Sequence, residues 1–216
     1  MKNNISANPL ESGNDELERN ALEECLRRQR LNHRVSVLIV SAGRCELAVK
    51  FARLGASVVV TDTEEHKQEV EGRSLASGFG NEIRFASLNL AAPAETLPGQ
   101  PFDIIVIRRG LCTLPYADAR QTIRHLLQRL VIGGKIYLSI LGLNSELSND
   151  YPDLEKPVEK RFAPLAPEVA AKYDINGPVC LYTERNLFML LLEAGASVLR
   201  TLTTTWGNVK GVAVRV

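Results

Sequence analysis

Asp62 stands 19 residues beyond Gly43 in the stretch VLIVSAGRCELAVKFARLGASVVVTD (37–62). That is close to the roughly 20-residue offset at which a carboxylate meets the ribose hydroxyl pair of a bound nucleotide. The chemistry on offer is recognition: an ionised acceptor for two hydroxyls, with Thr63 beside it, facing a tight turn of small residues, Ser41, Ala42 and Gly43. A charge-assisted hydrogen bond of this kind contributes on the order of 1.5–3 kcal/mol. The same TDTEE segment is also a plausible helix start, with acids near the positive end of the dipole, and the two roles can coexist. Arg108 and Arg109 form a second constellation. They end an apolar run, where open α/β sheets bind ligands, and can meet a carboxylate on a cofactor or a substrate; the alternative is a solvated surface pair.

These residues need strands to carry them. Val37, Leu38, Ile39 and Val40 form an unbroken apolar run, the pattern of a parallel strand covered on both faces. Five strands are expected, over 35–41, 56–62, 82–88, 102–108 and 134–141, with helices over 44–54, 64–77 and 116–130, an alternation that signals βαβ units. The proline-broken link 92–101 is expected to hold no regular helix, and Gly133–Gly134 reads as a helix stop and turn before the fifth strand. After a helix over 183–194, runs at 197–206 and 209–216 flank Gly207-Asn208. So short a connection joins antiparallel neighbours, because a parallel return needs a crossover of a dozen or more residues. The expected fold is therefore α/β, a doubly wound and mostly parallel sheet with a C-terminal antiparallel hairpin and helices on both faces.

The chain of 216 residues is read as one domain at 34–216, preceded by a mobile tail (1–14) and an amphipathic N-terminal helix (15–33) with Asn14 available as its cap. That helix is expected to pack on the sheet edge, the alternative being a lid over the cleft. With 26 basic against 25 acidic residues, the electrostatic footprint of a nucleic-acid binder is missing. Four scattered cysteines without a CxxC pair argue against zinc and for free thiols in a reducing compartment. No stretch approaches the roughly 18 apolar residues of a membrane span, and no secretory core is visible, so a soluble cytoplasmic protein is expected. His33, His66 and His125 are isolated and no GxSxG elbow exists, so neither metal nor hydrolase chemistry has support.

Taken together, SAGRC at the first turn, Asp62, Phe102-Asp103 opening the fourth strand, LLQRLVIGGKIYLSILG and YTERNLFMLLLEAGASV resemble the class I S-adenosylmethionine-dependent methyltransferases over about 34–216. The resemblance implies a seven-stranded sheet, S-adenosylmethionine as cofactor and a small-molecule acceptor. It implies cofactor contacts from Ser41, Ala42, Gly43, Asp62, Thr63, Asn89, Leu90 and Arg108, with the Asn89 amide near the adenine amino group or, alternatively, simply in a loop turn. Two of the three glycine places of the family's GxGxG turn hold Ser41 and Cys45, and Ile39 replaces a first-strand acid. Any of these places that needs a positive φ stores strain in a non-glycine residue.

The segment 144–178 is long for a connection and reads as a substrate-binding or lid insertion, or as a solvated loop. Tyr151, Arg161, Tyr173 and Asp174 within it join Arg109 as substrate-contact candidates. Methyl transfer to a small molecule asks mainly for positioning, and no residue stands out as a base. Two other readings stay open: a non-catalytic regulatory or scaffold protein on the same fold, for which a protein partner is possible, and a nicotinamide-dependent enzyme, disfavoured by the absent GxGxxG.

Overall fold

The structure, a computed structural model, describes residues 16–30, 33–41, 43, 45–90 and 101–216. The tail 1–14, Ala42 and most of the 92–101 link lie outside the described residues.

Five strands alternate with helices as the apolar runs require: β1 Ser36–Val40, α2 Glu46–Arg53, β2 Ser57–Asp62, α3 Lys67–Ala76, β3 Ile83–Ser87, β4 Phe102–Arg108, α4 Tyr116–Gln128 and β5 Leu130–Ile140. The helix α1 Glu16–Gln29 precedes them. The chain continues through β6 Ala163–Pro164, α5 Pro167–Tyr173 and β7 Pro178–Val179, then α6 Glu184–Glu193 and the strands β8 Ser197–Thr203 and β9 Val209–Val214. The main sheet has seven strands in the order β3-β2-β1-β4-β5-β9-β8. β1 to β5 pair in parallel, whereas β9 is antiparallel to both β5 and β8. The expected doubly wound sheet with a terminal hairpin is present.

Because successive strand residues point to opposite faces, each central strand feeds two cores. Val37 and Ile39 of β1, with Ile104 and Val106 of β4, pack under α1, α2 and α3. Leu38, Val40, Ile105 and Ile107 pack under α4 and α6. α6 lays Leu187, Leu190 and Leu191 into that second core with no exposed surface, each contributing about 1.5–3 kcal/mol on burial. A reciprocal cap fixes its start: Asn186 N–H donates to Thr183 Oγ1 (3.2 Å) and Thr183 N–H to Asn186 Oδ1 (2.9 Å).

Three expectations are corrected. α1 lies neither on the sheet edge nor over the cleft as a lid. It packs on the sheet face against α2, β4 and β5, burying Leu17, Ala21 and Cys25. Its axis runs antiparallel to β4, so that Glu18 meets Arg108 at one end (2.6 Å) and Arg28 meets Asp103 at the other (3.1 Å). The glycine pair is not a helix stop: α4 ends at Gln128 and β5 begins at Leu130. Pairing with β4 jumps from Phe102↔Leu130 to Ile104↔Lys135, so residues 131–134 bulge out of the ladder. Gly133 sits at φ 76 and its N–H donates to the Arg215 carbonyl (2.8 Å), a geometry that favours glycine. Finally, the helix over 64–77 starts as a 3-10 turn, Glu64–His66, before α3.

Candidate functional site

The order of the strands fixes where a ligand can enter. From β1 the chain moves outward through β2 and β3, then returns to β4 on β1's other side and moves outward through β5. Loops leaving β1 and β4 therefore diverge, opening a crevice at their carboxyl ends. The crevice has two adjoining parts. One, about 260 Å³, is lined by Val40, Ser41, Thr61, Asp62, Thr63, Leu88, Asn89, Leu90, Thr113 and Leu114. The other, about 540 Å³, lies among Ser41, Arg108, Arg109, Gly110, Cys112, Thr113, Leu141 and the insertion's 174–179 segment. Ser41 and Thr113 line both.

The turn after β1 has the left-handed backbone of a glycine motif at three alternate positions, of which one is glycine. Ser41, Gly43 and Cys45 have φ values of 69°, 51° and 60°. The alternate positions of the turn are all left-handed, and two carry side chains there. For a residue other than glycine this costs roughly 1–2 kcal/mol. Cys45 initiates α2 with no side-chain cap and is buried beneath it. After β4, Arg109 repeats the theme at φ 61° and Gly110 packs tightly: a Cβ there would lie 2.6 Å from Leu90 Cδ1 and 3.0 Å from Ser41 Oγ. A larger residue there would have to displace the Leu90 and Ser41 side chains.

Asp62 ends β2 on the smaller part of the crevice. Its Oδ1 accepts the Thr63 N–H (2.8 Å) and lies 3.0 Å from His66 Nδ1. These contacts lie at the start of the 3-10 turn, but its N-cap position is Thr63 and no side chain caps it, so Asp62 is not the helix cap the sequence allowed. Asn89 and Leu90, following β3, close the opposite wall. Arg108 lines the larger part while its guanidinium holds Glu18 of α1, which also binds Lys50.

Of the insertion's candidates, Asp174 lines the larger part at φ 51° and Asn176 donates to its Oδ1 (3.1 Å). Tyr151 and Arg161 turn inward instead. The Tyr151 hydroxyl donates to the Val179 carbonyl (2.6 Å) and accepts the Ala163 N–H (3.2 Å), tying β6 to β7. Arg161 spans the Leu181 and Lys156 carbonyls at 2.9 and 2.7 Å. Tyr173 is half-buried, with the Lys172 ammonium 5.1 Å from its ring centre, and lines neither part. These three hold the insertion's shape and so place Ile175 to Val179 on the cleft. Sequence reasoning did not find Gly110, Thr113, Leu141 or 175–179; the RRG that ends β4 was the available signal for the first.

Two arginines and one carboxylate, Arg108, Arg109 and Asp174, line the larger part. Arg109 is exposed at the mouth of this part, and partial desolvation together with the neighbouring Arg108 charge holds it below its ordinary value. Burial also lifts the Cys112 thiol to about 12, so it offers no thiolate. Among the described residues no group of three or more His, Cys, Asp or Glu is placed to hold a metal ion, and all four cysteines are buried and unbridged. No described helix is long and apolar enough to cross a membrane.

Solved structures share this architecture. A protein from Methanosarcina mazei described as a SAM-dependent methyltransferase superposes with TM-score 0.68 at 19% identity, covering 95% of this chain and 99% of its own. The 1,6-didemethyltoxoflavin N1-methyltransferase of Burkholderia thailandensis, bound to its substrate and S-adenosylhomocysteine, gives 0.63 at 17% identity, over 94% of this chain and 79% of its own. PigF with S-adenosylhomocysteine gives 0.62 at 14%, over 93% of this chain. The chain spans about half the length of PigF and of several other matched methyltransferases. No protein-family model and no curated protein matches the sequence. The fold is that of the class I S-adenosylmethionine-dependent methyltransferases.

Proposed function

We propose that this chain binds S-adenosylmethionine in the crevice between β1 and β4 and transfers its methyl group to a small-molecule acceptor. One observation carries the reading: Ser41, the left-handed residue that follows β1, and Asp62 at the end of β2 line one crevice at the point where strand order reverses. The donor set fits the cofactor. Asp62 would accept from the ribose hydroxyls, Leu88 and Leu90 would flank the adenine, and Asn89 would meet its edge. The bound cofactor supplies an electrophilic methyl on a sulfonium. The protein's task is then alignment: the larger part of the crevice seats the acceptor, Gly110 keeps the two parts close, and the ordered insertion walls off water. Among the charged groups lining that part, one is a carboxylate, Asp174, and it is exposed. An amine or thiolate acceptor, which needs little help from a base, suits such a site better than an alcohol.

A second reading has its own observation. Ser41 and Cys45 carry strain where the family has glycine, which is compatible with a binding protein that no longer turns over. Calorimetry separates the two from each other and from a nicotinamide enzyme. Micromolar binding of S-adenosylmethionine and S-adenosylhomocysteine is expected, with no response to a nicotinamide dinucleotide. Asp62→Ala is expected to weaken both by at least about tenfold while the protein stays folded. Folded protein that ignores both sulfur nucleosides would sink the cofactor reading.

A further inference from the structure

α6 lacks the polar outer side of an ordinary surface helix. Leu187, Leu190 and Leu191 face the core, yet the opposite side carries Phe188, Met189 and Leu192, which are 41%, 37% and 50% exposed. At about 100° per residue these three and Arg185 share the half of the helix turned away from the sheet. A helix that is apolar all round is normally covered all round. Within the chain α6 packs on β8, β9 and α4. Glu184 accepts the Thr201 and Thr203 hydroxyls of β8 (3.1 and 3.3 Å), and Glu193 accepts from Arg120 of α4 (3.1 Å). Held on both flanks, the helix cannot roll its outer side chains inward.

The charges beside the apolar strip complement one another end to end. Arg185, near the amino end of α6, is exposed and meets no acidic side chain among the described residues. Glu193, at the carboxyl end, uses Oε2 for Arg120 and Tyr116 and leaves Oε1 open. A second α6 laid antiparallel reverses that order. About a twofold axis near Met189, Phe188 lies against the partner's Met189, the Arg185 stem covers the partner's Leu192, and its guanidinium reaches the partner's Glu193.

We propose that the outer face of α6 is the contact of a homodimer, in which two copies pack this helix antiparallel about a twofold axis. The inference is independent of the cofactor reading. Self-complementary charge favours a second copy over a membrane or a nucleic acid, each of which calls for a basic surround; Arg120 and Arg124 beside the strip are engaged by the Glu193 carboxylate and carbonyl. The bulge between Val198 and Arg200 disfavours strand pairing at the β8 edge, which leaves the helix as the meeting surface. Three apolar side chains per copy make a small contact, so a dissociation constant on the order of 10 µM is expected.

Sedimentation equilibrium from about 1 to about 200 µM tests this. The wild-type mass is expected to climb from near 23.8 kDa toward twice that value. Leu192→Glu and Arg185→Glu, first shown to melt like wild type at the lowest concentration, are each expected to weaken association at least about tenfold. Glu193→Arg is likewise expected to stay monomeric alone, whereas its equimolar mixture with Arg185→Glu restores opposite charges at both cross-contacts and dimerises. Should Glu193→Arg fail to fold, the first two variants decide. Wild type that remains monomeric at about 200 µM overturns the proposal, and vesicle binding by that monomer that Leu192→Glu abolishes would assign the face to a membrane instead. A dimer indifferent to either Leu192→Glu or Arg185→Glu, a folded mixture that stays monomeric, or mass growing past a dimer overturns it as well.

Discussion

The two ends of the sheet are built from the same apolar strands yet treat charge and backbone in opposite ways. At the amino ends the buried carboxylates are matched. The Asp103 carboxylate accepts the Ser36 N–H (2.9 Å), Arg28 (3.1 Å) and His33 (2.9 Å). Glu24 binds Arg27, Arg28 and Lys135 at 2.6–2.9 Å, and Arg28 also donates to the Gly133 carbonyl of the β5 bulge. At the carboxyl ends the backbone is strained: of five described non-glycine residues with positive φ, Ser41, Arg109 and Asp174 line the crevice. Arg109 there projects a charge that the fold does not neutralise. One end is held by matched buried charge; the other keeps backbone strain along the crevice.

If that division is real, damage at the amino end must cost stability and spare binding. Asp103→Ala is expected to have the largest effect, since it leaves the Ser36 N–H without its acceptor and takes from Arg28 one of its three partners, costing about 1–3 kcal/mol. Urea unfolding measures it. S-adenosylhomocysteine affinity of the folded protein is expected to stay within about twofold, and a parallel loss of affinity would show that the two ends are coupled.

Acid sharpens the same contrast. Burial alone would raise the Glu24 pKa, but hydrogen bonds from Arg27, Lys135 and Arg28 outweigh it and bring it from 4.5 down to about 2. The ionised carboxylate is thus favoured by folding, so its contribution is complete above about pH 4.5 and drains away as pH falls toward 2. Because Arg27 is 60% exposed and screened, a contribution of about 1–2 kcal/mol is expected rather than the full shift. Glu24→Gln is expected to flatten stability over that window. An acid limb identical to wild type would remove Glu24 from the account.

What the sequence revealed follows from how local each signal is. β4 was legible to the residue because an apolar run bounded by Pro101 and an arginine pair admits one strand. Asp62 was legible because its offset from the turn is set by one helix and one strand. The glycine pair misled, since Gly133-Gly134 after a helix looks the same whether it stops that helix or bulges a strand. The Arg215 backbone, 82 residues from Gly133 in sequence, decides it. The helical period of α1 gave the helix but not its bed, because Glu18 and Glu24, which look solvated, are buried by partners on α2, β4 and β5. Tyr151 and Arg161 show the same limit: a polar side chain in a long insertion serves water, ligand or its own backbone, and composition cannot choose among them.

The smallest expected effect tests the carboxyl end directly. Ser41 at φ 69° is held where an L side chain costs roughly 1–2 kcal/mol. Glycine removes that cost but loses about 0.4–1 kcal/mol to the greater freedom of the unfolded chain. The net expectation for Ser41→Gly is a gain of about 0.5 kcal/mol, read as a melting temperature higher by roughly 1–2 °C. Ser41 Oγ lies against Gly110 where the two parts of the crevice meet, so the hydroxyl also occupies space at their junction. A gain in stability together with tighter S-adenosylhomocysteine binding means the serine obstructs the cofactor arm. A gain in stability with weaker binding means the hydroxyl is a ligand contact, held in place by the strain. A loss of stability means Ser41 makes an interaction worth more than its strain, and the turn belongs with the well-matched amino end rather than with Arg109.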